Sequence, residues 1–206
     1  MPRAVDVDEQ KARIARAVWR LVARGGLESV TLRVVAAEAG VSMGRVQHYF
    51  HSKEDLLLHS LEHAYQRMQA RIEQRLTGTA GGDRAVLVAV LDEMLGENAE
   101  TREAIRITVA YSARALDDDR VAAVLTAGDD EIVALATAVI AQAREDGRVG
   151  QEVDPEREAH VLWTLTCGLG AEVALYGASP ATARAALEYH LRRIAPPVRA
   201  VPGARR

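Results

Sequence analysis

Arg45, Gln47 and His48 put three hydrogen-bonding side chains within the short segment Met43–Tyr49. The chemistry open to them is recognition, not bond making. A guanidinium matches the O6/N7 edge of guanine and a carboxamide the N6/N7 edge of adenine, so Arg45 and Gln47 are suited to a major groove. Which base each meets is left open by the sequence. The plainer alternative is a helical hairpin on which Arg45, Gln47 and His48 are merely solvated.

A reading segment must be held proud of a core, and the residues around it supply that frame. Leu32, Val35, Ala36 and Ala39 recur at helical spacing, giving a short helix one apolar face. Gly40 stops it, because a tight helix-helix turn needs a positive φ that glycine adopts freely. Ser42 follows as the N-cap of the next helix, where its oxygen can accept a free N–H. Val46 faces inward on that second helix and leaves Met43, Gly44, Arg45, Gln47 and His48 outward. Ala36 and Val46 are small or apolar enough for the two helices to cross closely. The stretch from Thr31 to Leu57 therefore reads as a helix-turn-helix.

Other chemistry is weaker. His59 and His63, four residues apart with Glu62 between them, could place two imidazoles on one metal. No third ligand stands at a fixed spacing and the HExxH order is missing, so no metal site is expected. Gly168-Leu169-Gly170-Ala171-Glu172-Val173 begins like a dinucleotide fingerprint but lacks its third small residue and any strand-helix-strand setting; helix packing is the expectation. Asp117, Asp118 and Asp119 read as a solvated helix start. There is no nucleophile elbow or phosphate loop, and no cofactor is expected.

At 206 residues the chain can bury a sizeable core, and its 4% aromatic content favours helix over strand. The single cysteine, Cys167, excludes an internal disulfide and fits a reducing cytosol. No signal-type stretch begins the chain, and Ile132 to Ala141 is too short an apolar run to span a bilayer. A soluble cytoplasmic protein with no membrane partner is expected. The net charge of −3 is unevenly spread. Residues 1–53 hold nine Lys/Arg against five Asp/Glu, while residues 54–206 hold seventeen against twenty-four. A basic head on an acidic body focuses positive potential at the proposed reading segment.

Patterning predicts an all-α chain of about nine helices. The first covers Asp8 to Arg24, with Ile14, Ala17, Val18, Leu21 and Val22 on its inner face. Ser52 caps a long helix reaching Leu76, whose inner stripe is Leu57, Leu61, Ala64, Tyr65, Met68 and Ile72. After the loop Thr77 to Asp83, helices are predicted near Arg84–Gly96, Glu100–Ala115, Asp119–Glu145, Pro155–Tyr176 and Pro180–Ile194. Asp154-Pro155 and Ser179-Pro180 each place a capping residue before a first-turn proline. Three units follow: a three-helix head with the helix-turn-helix at 1–53, a helical body at 54–195 and a tail at 196–206 expected to be disordered.

Thr31-Leu32-Arg33, Ala36, Ala39-Gly40-Val41-Ser42, Gly44, His48-Tyr49-Phe50, Ser52-Lys53 and Leu56-Leu57 together resemble the TetR family of transcriptional regulators, in order and without gaps. The resemblance covers the head and the start of the long helix. It implies that Thr31, Tyr49 and Lys53 hold phosphates and that Arg33, Met43, Gly44, Arg45 and Gln47 lie at base edges or nearby backbone, with Ser42 and His48 completing the surface. Gln47 stands where many members carry tyrosine, so no operator sequence is borrowed. The implied function is a one-component regulator, expected to repress, that binds a palindromic DNA operator as a homodimer and is released by a small-molecule effector. The resemblance also implies a C-terminal ligand-binding and dimerisation domain.

Two surfaces are expected in that body. The last two helices would form a four-helix bundle between subunits, through Trp163, Cys167, Gly168, Gly170, Ala171, Ala174 and Leu175 on one and Ala183, Leu187, His190, Leu191 and Ile194 on the other. An alternative is that this stripe is internal core. Met68, Met94, Tyr111, Arg114, Trp163 and Cys167, larger or polar residues on apolar faces, are candidates to line the effector pocket. Rival functions are a helical enzyme or a protein-interaction module without DNA binding.

Overall fold

The computed structural model of the chain describes residues 4–77 and 82–197. The proposed tail beyond Pro197 and residues 78–81 of the predicted loop lie outside the described residues. Among those described there are ten α-helices, two 3-10 turns and no strand. They are α1 (Ala4–Gly25), α2 (Leu32–Ala39), α3 (Met43–Tyr49), α4 (Lys53–Leu76) and α5 (Asp83–Met94), then α6 (Ala99–Ser112), α7 (Asp119–Thr126), α8 (Asp129–Glu145), α9 (Pro155–Tyr176) and α10 (Pro180–Ile194).

Local rules explain most boundaries. Thr31, Ser42, Ser52, Asn98, Asp118 and Asp154 each accept a hydrogen bond from an N–H in the first turn that follows. Three boundaries depart from the pattern, the first being α1, which starts at Ala4 and not at Asp8. The helix predicted over Asp119–Glu145 is two helices, because Ala127-Gly128 breaks it where Gly128 takes φ 86°. The helix predicted to reach Ala115 ends at Ser112 and tightens into a 3-10 turn, Ala113–Leu116.

The apolar faces meet in two clusters. The first joins α1, α2 and α3 to the inner face of α4 and continues through Ala104, Ile107 and Tyr111 of α6 to Val121 of α7. Its largest member is Trp19, 1% exposed, whose indole N–H donates to the Ser60 carbonyl at 2.9 Å. The second cluster joins α5, α8, α9 and α10. Ala183, Leu187, Leu191 and Ile194, expected on a subunit interface, are buried inside this second cluster; the internal alternative holds for them. Amphipathicity fixed which face is covered, but α9 of the same chain covers it.

α4 belongs to both halves. Leu56, Leu57, Leu61 and Ala64 pack into the head cluster, while its last turns carry a basic ladder into the body. Arg71 pairs with Glu93 of α5 at 2.6 Å and with Glu100 of α6 at 3.1 Å. Arg67 reaches Glu100 at 2.7 Å and Arg75 reaches Glu93 at 3.3 Å. The Glu93 side chain is fully buried and also accepts from the Thr101 hydroxyl. A buried carboxylate needs such pairing to be tolerated.

Candidate nucleic-acid interface

The turn between α2 and α3 is built on Gly40, at φ 63° and ψ 38°. Gly40 N–H donates to Ala37 O at 3.1 Å and Val41 N–H to Ala36 O at 3.0 Å, closing the end of α2. A Cβ on Gly40 would also lie 2.9 Å from the Arg13 guanidinium. α3 then starts at the Ser42 cap, whose Oγ accepts from Arg45 N at 3.2 Å. Val46, fully buried, and Phe50, 2% exposed, root α3 in the core.

On the outer face of α3, Gly44, Arg45, Gln47 and His48 are exposed as spacing predicts, whereas Met43, also expected outward, is half-buried, as is Tyr49. The His48 and Tyr49 rings lie 5.2 Å apart. Thr31 is exposed at the α2 start, where its Oγ1 accepts from Val34 N at 3.2 Å, and Arg33 is exposed two residues on. Ser42 is exposed as well. The hydroxyl hydrogens of both capping residues remain available to an acceptor, and helix N-termini favour anions. Lys53 differs from the expectation in one respect: it is half-buried, and its ammonium donates to the Leu27 carbonyl at 3.1 Å. Two further ammonium protons are left for another partner.

α2 is fixed against α1 by a pairing that spacing alone did not reveal. Glu38 accepts from Arg20 at 2.7 Å and also pairs with Arg24. Hydrogen bonds from Arg20 and then Arg24 hold the Glu38 carboxyl below its ordinary range. The rings of His59 and His63 stack at 6.4 Å in an aromatic column, and among the described residues no group of three His, Cys, Asp or Glu side chains is placed to share a metal.

The six body candidates fall in two groups. Met68 is buried in the head-side cluster, and half-buried Met94 packs against it. Tyr111 is 2% exposed in the same cluster, and burial pushes its phenol far up; half-buried Arg114 is a charged neighbour. Trp163 and Cys167, one turn apart on α9, are half-buried and both neighbour Asp129 at the start of α8. Burial first, and the Asp129 charge second, push the Cys167 thiol up to about 11. Tyr65 joins this second group, its hydroxyl donating to Leu125 O at 3.1 Å. Burial raises the Asp129 carboxyl, while a hydrogen bond from Trp163 works in the opposite sense. Tyr65 and Asp129 were missed as site candidates: Tyr65 read as core, and Asp129 lay within the helix predicted to be continuous.

Gly168 and Gly170 have separate roles. A Cβ on Gly170 would sit 2.1 Å from the Met94 carbonyl oxygen, so this glycine allows α9 to approach the end of α5. The Gly168 position opens on empty space. The dinucleotide-like string is helix packing at Gly170.

Residues 14–59 match the sequence pattern described as bacterial regulatory proteins of the tetR family, and residues 83–196 match the C-terminal domain of BetI-type transcriptional repressors. The HTH-type transcriptional regulator PksA of Bacillus subtilis (strain 168) is 29% identical over 178 residues, 85% of this chain and 83% of PksA. The HTH-type transcriptional repressor KstR of Mycolicibacterium smegmatis is 35% identical over 74 residues, covering 36% of this chain and 35% of its own. Among solved structures, a transcriptional regulator from Saccharomonospora viridis in complex with choline superposes with a TM-score of 0.76 at 24% identity, over 90% of this chain and 96% of that one. A TetR regulator from Haloarcula marismortui gives 0.72 at 23%, over 89% and 96%. Both superpositions establish the fold. With the helix-turn-helix head and more than half the chain matched in its body, the protein belongs to the TetR family and is a transcriptional regulator.

Proposed function

We propose that this regulator is a homodimeric repressor whose two α3 helices read the half-sites of a palindromic operator, and whose body, when a small molecule binds, draws them out of register. The exposed face of α3, with Arg45, Gln47 and His48 free and Val46 buried, is the observation that carries the reading. Thr31, Tyr49 and Lys53 surround it as phosphate contacts, with Arg33, Met43, Gly44 and Ser42 beside the bases or backbone. The head is assigned to residues 1–53 and the effector and dimer body to 54–195. Repression is supported by the BetI-type repressor match and by the repressor among the relatives.

A short recognition helix buries too little alone, so two-fold pairing is required for an operator. The pairing surface proposed here is the exposed side of α9 and α10. Val161 and Leu175, 51% and 38% exposed, flank Gly168 at seven-residue intervals, and Tyr189 is 60% exposed on α10. For the effector, the half-buried group of Tyr65, Asp129, Trp163 and Cys167 lies where α4, α7, α8 and α9 meet. A carboxylate flanked by aromatic rings suits a small organic cation, the kind of ligand the Saccharomonospora viridis neighbour holds.

Selection of random duplexes on the full chain tests the reading. The expected product is a palindrome with half-site centres about 34–36 Å apart, bound with strong salt dependence. Failure to retain DNA at low salt would favour a protein-interaction module.

A further inference from the structure

α1 and α4 enclose a column of aromatic rings where the head meets the long helix. Trp19 stacks on His63 at 5.4 Å with 28° between planes, and His63 lies nearly parallel to His59 at 6.4 Å and 13°. His59 in turn meets Phe50 at 5.2 Å. Nε2 of both histidines is buried and makes no hydrogen bond, and Nδ1 of His59 comes only to 4.0 Å from Glu62. A neutral imidazole fits such a column as an aromatic ring. A second proton would put a full charge and an unpartnered N–H into it.

The surroundings reinforce that bias. Asp8, Lys11 and Arg16 of α1, Asp55, Glu62 and Arg67 of α4, and Glu100 of α6 are the charged groups that face the pair. Burial is the largest influence on both rings, followed by Lys11 for His59 and by His59, Arg16 and Arg67 for His63. The facing carboxylates oppose the shift without cancelling it. His63 is held down to about 4, and His59 is lowered from 6.5.

We propose that His59 and His63 form a proton-sensitive joint between the head and α4: the packing of α1 on α4 favours neutral imidazoles, and mild acid raises the population of the opened seam. The sign follows from linkage. In an opened seam the imidazoles take up protons near their ordinary value, whereas in the closed seam they resist, so the closed form loses ground as pH falls below about 6.5. His63 alone raises the open-to-closed ratio about tenfold between pH 7.5 and 5.5. Carboxylates of ordinary acidity stay ionised over that range. If the head reads an operator as proposed above, acid weakens its hold; the joint itself is tested without DNA.

The Trp19 indole N–H, bonded to Ser60 O inside the seam, reports opening directly. Its hydrogen-exchange protection factor in the full chain, corrected for intrinsic exchange, is expected to fall at least about tenfold from pH 7.5 to 5.5, His59 adding to the His63 share, while the amides of α9 keep theirs. In His63→Phe, which keeps a ring against Trp19 and takes up no proton, the fall should shrink to threefold or less. Constant protection in the wild type, an equal fall in His63→Phe, or a fall shared by the α9 amides would overturn the joint. The His63 ring C–H titration needs no variant: a midpoint well below 6 supports the proposal, and one near 6.5 overturns it.

Discussion

The ammonium of Lys53, the first residue of α4, donates to the carbonyl of Leu27 in the connection between α1 and α2 at 3.1 Å. The start of the long helix is thereby tied to the segment that leads into Thr31 and the α2 N-terminus. Removing the side chain takes away this tether together with a cation beside the proposed phosphate contacts. Lys53→Ala should weaken binding to every duplex alike, lower the magnitude of the salt slope by about one, and cost the head about 1 kcal/mol. Salt titrations on two unrelated duplexes, with thermal unfolding of the free protein, check it; a sequence-selective loss would contradict the phosphate role.

Gly44 is exposed on α3, and a Cβ there would meet nothing within 4 Å. Gly44→Ala should therefore stabilise the free protein by up to about 1 kcal/mol, since glycine inside a helix is costly. The same methyl should lower operator affinity if α3 lies close against the duplex. Opposite signs in unfolding and in DNA titration are the expected pattern. A more stable protein with unchanged operator affinity would show that close approach at Gly44 is not needed.

Glu93 ties the basic ladder of α4 to α5 and α6 from a fully buried position. Glu93→Gln takes from Arg71, 15% exposed, its closer carboxylate and leaves it Glu100 at 3.1 Å. The cost should therefore fall below the ~3–5 kcal/mol of a fully orphaned buried charge, and denaturant unfolding will register it. The neighbouring Glu100 adds a pH signature. Its carboxyl is held below the ordinary 4.5, chiefly by the Arg67 hydrogen bond. Its contribution is therefore complete above about pH 4.5 and is lost as pH falls through the lowered value.

Much of the head could be read from sequence because its determinants are local. Ile14, Val18, Val35 and Val46 recur with the helical period, and Gly40 and Ser42 are a stop and a start whose physics involves neighbouring residues only. Contacts between distant segments were hidden. Nothing near Trp19 in the chain announces Ser60, and nothing near Arg71 announces Glu93. α10 shows the same limit: Leu187 and Leu191 had to be covered, but periodicity does not say by which helix. At Gly128 a single residue broke a pattern that Val121 through Ile140 otherwise sustained.

The exposed side of α9 gives the pairing prediction. Val161 is 51% exposed among the described residues, so Val161→Glu should leave the fold intact. Sedimentation should then show single subunits at concentrations where the wild type is paired. Operator affinity should drop about 10²–10⁴-fold with loss of the second half-site. Wild-type protein that sediments as one subunit at all concentrations would contradict the dimer.

The most direct test of the account is the affinity of Gln47→Ala on the selected operator and on a random duplex of equal length and salt. If the α3 face reads bases, the variant loses about 1–3 kcal/mol on the operator, restricted to one base position in each half-site, and nothing on the random duplex. An equal loss on both duplexes, or none on the operator, would contradict it.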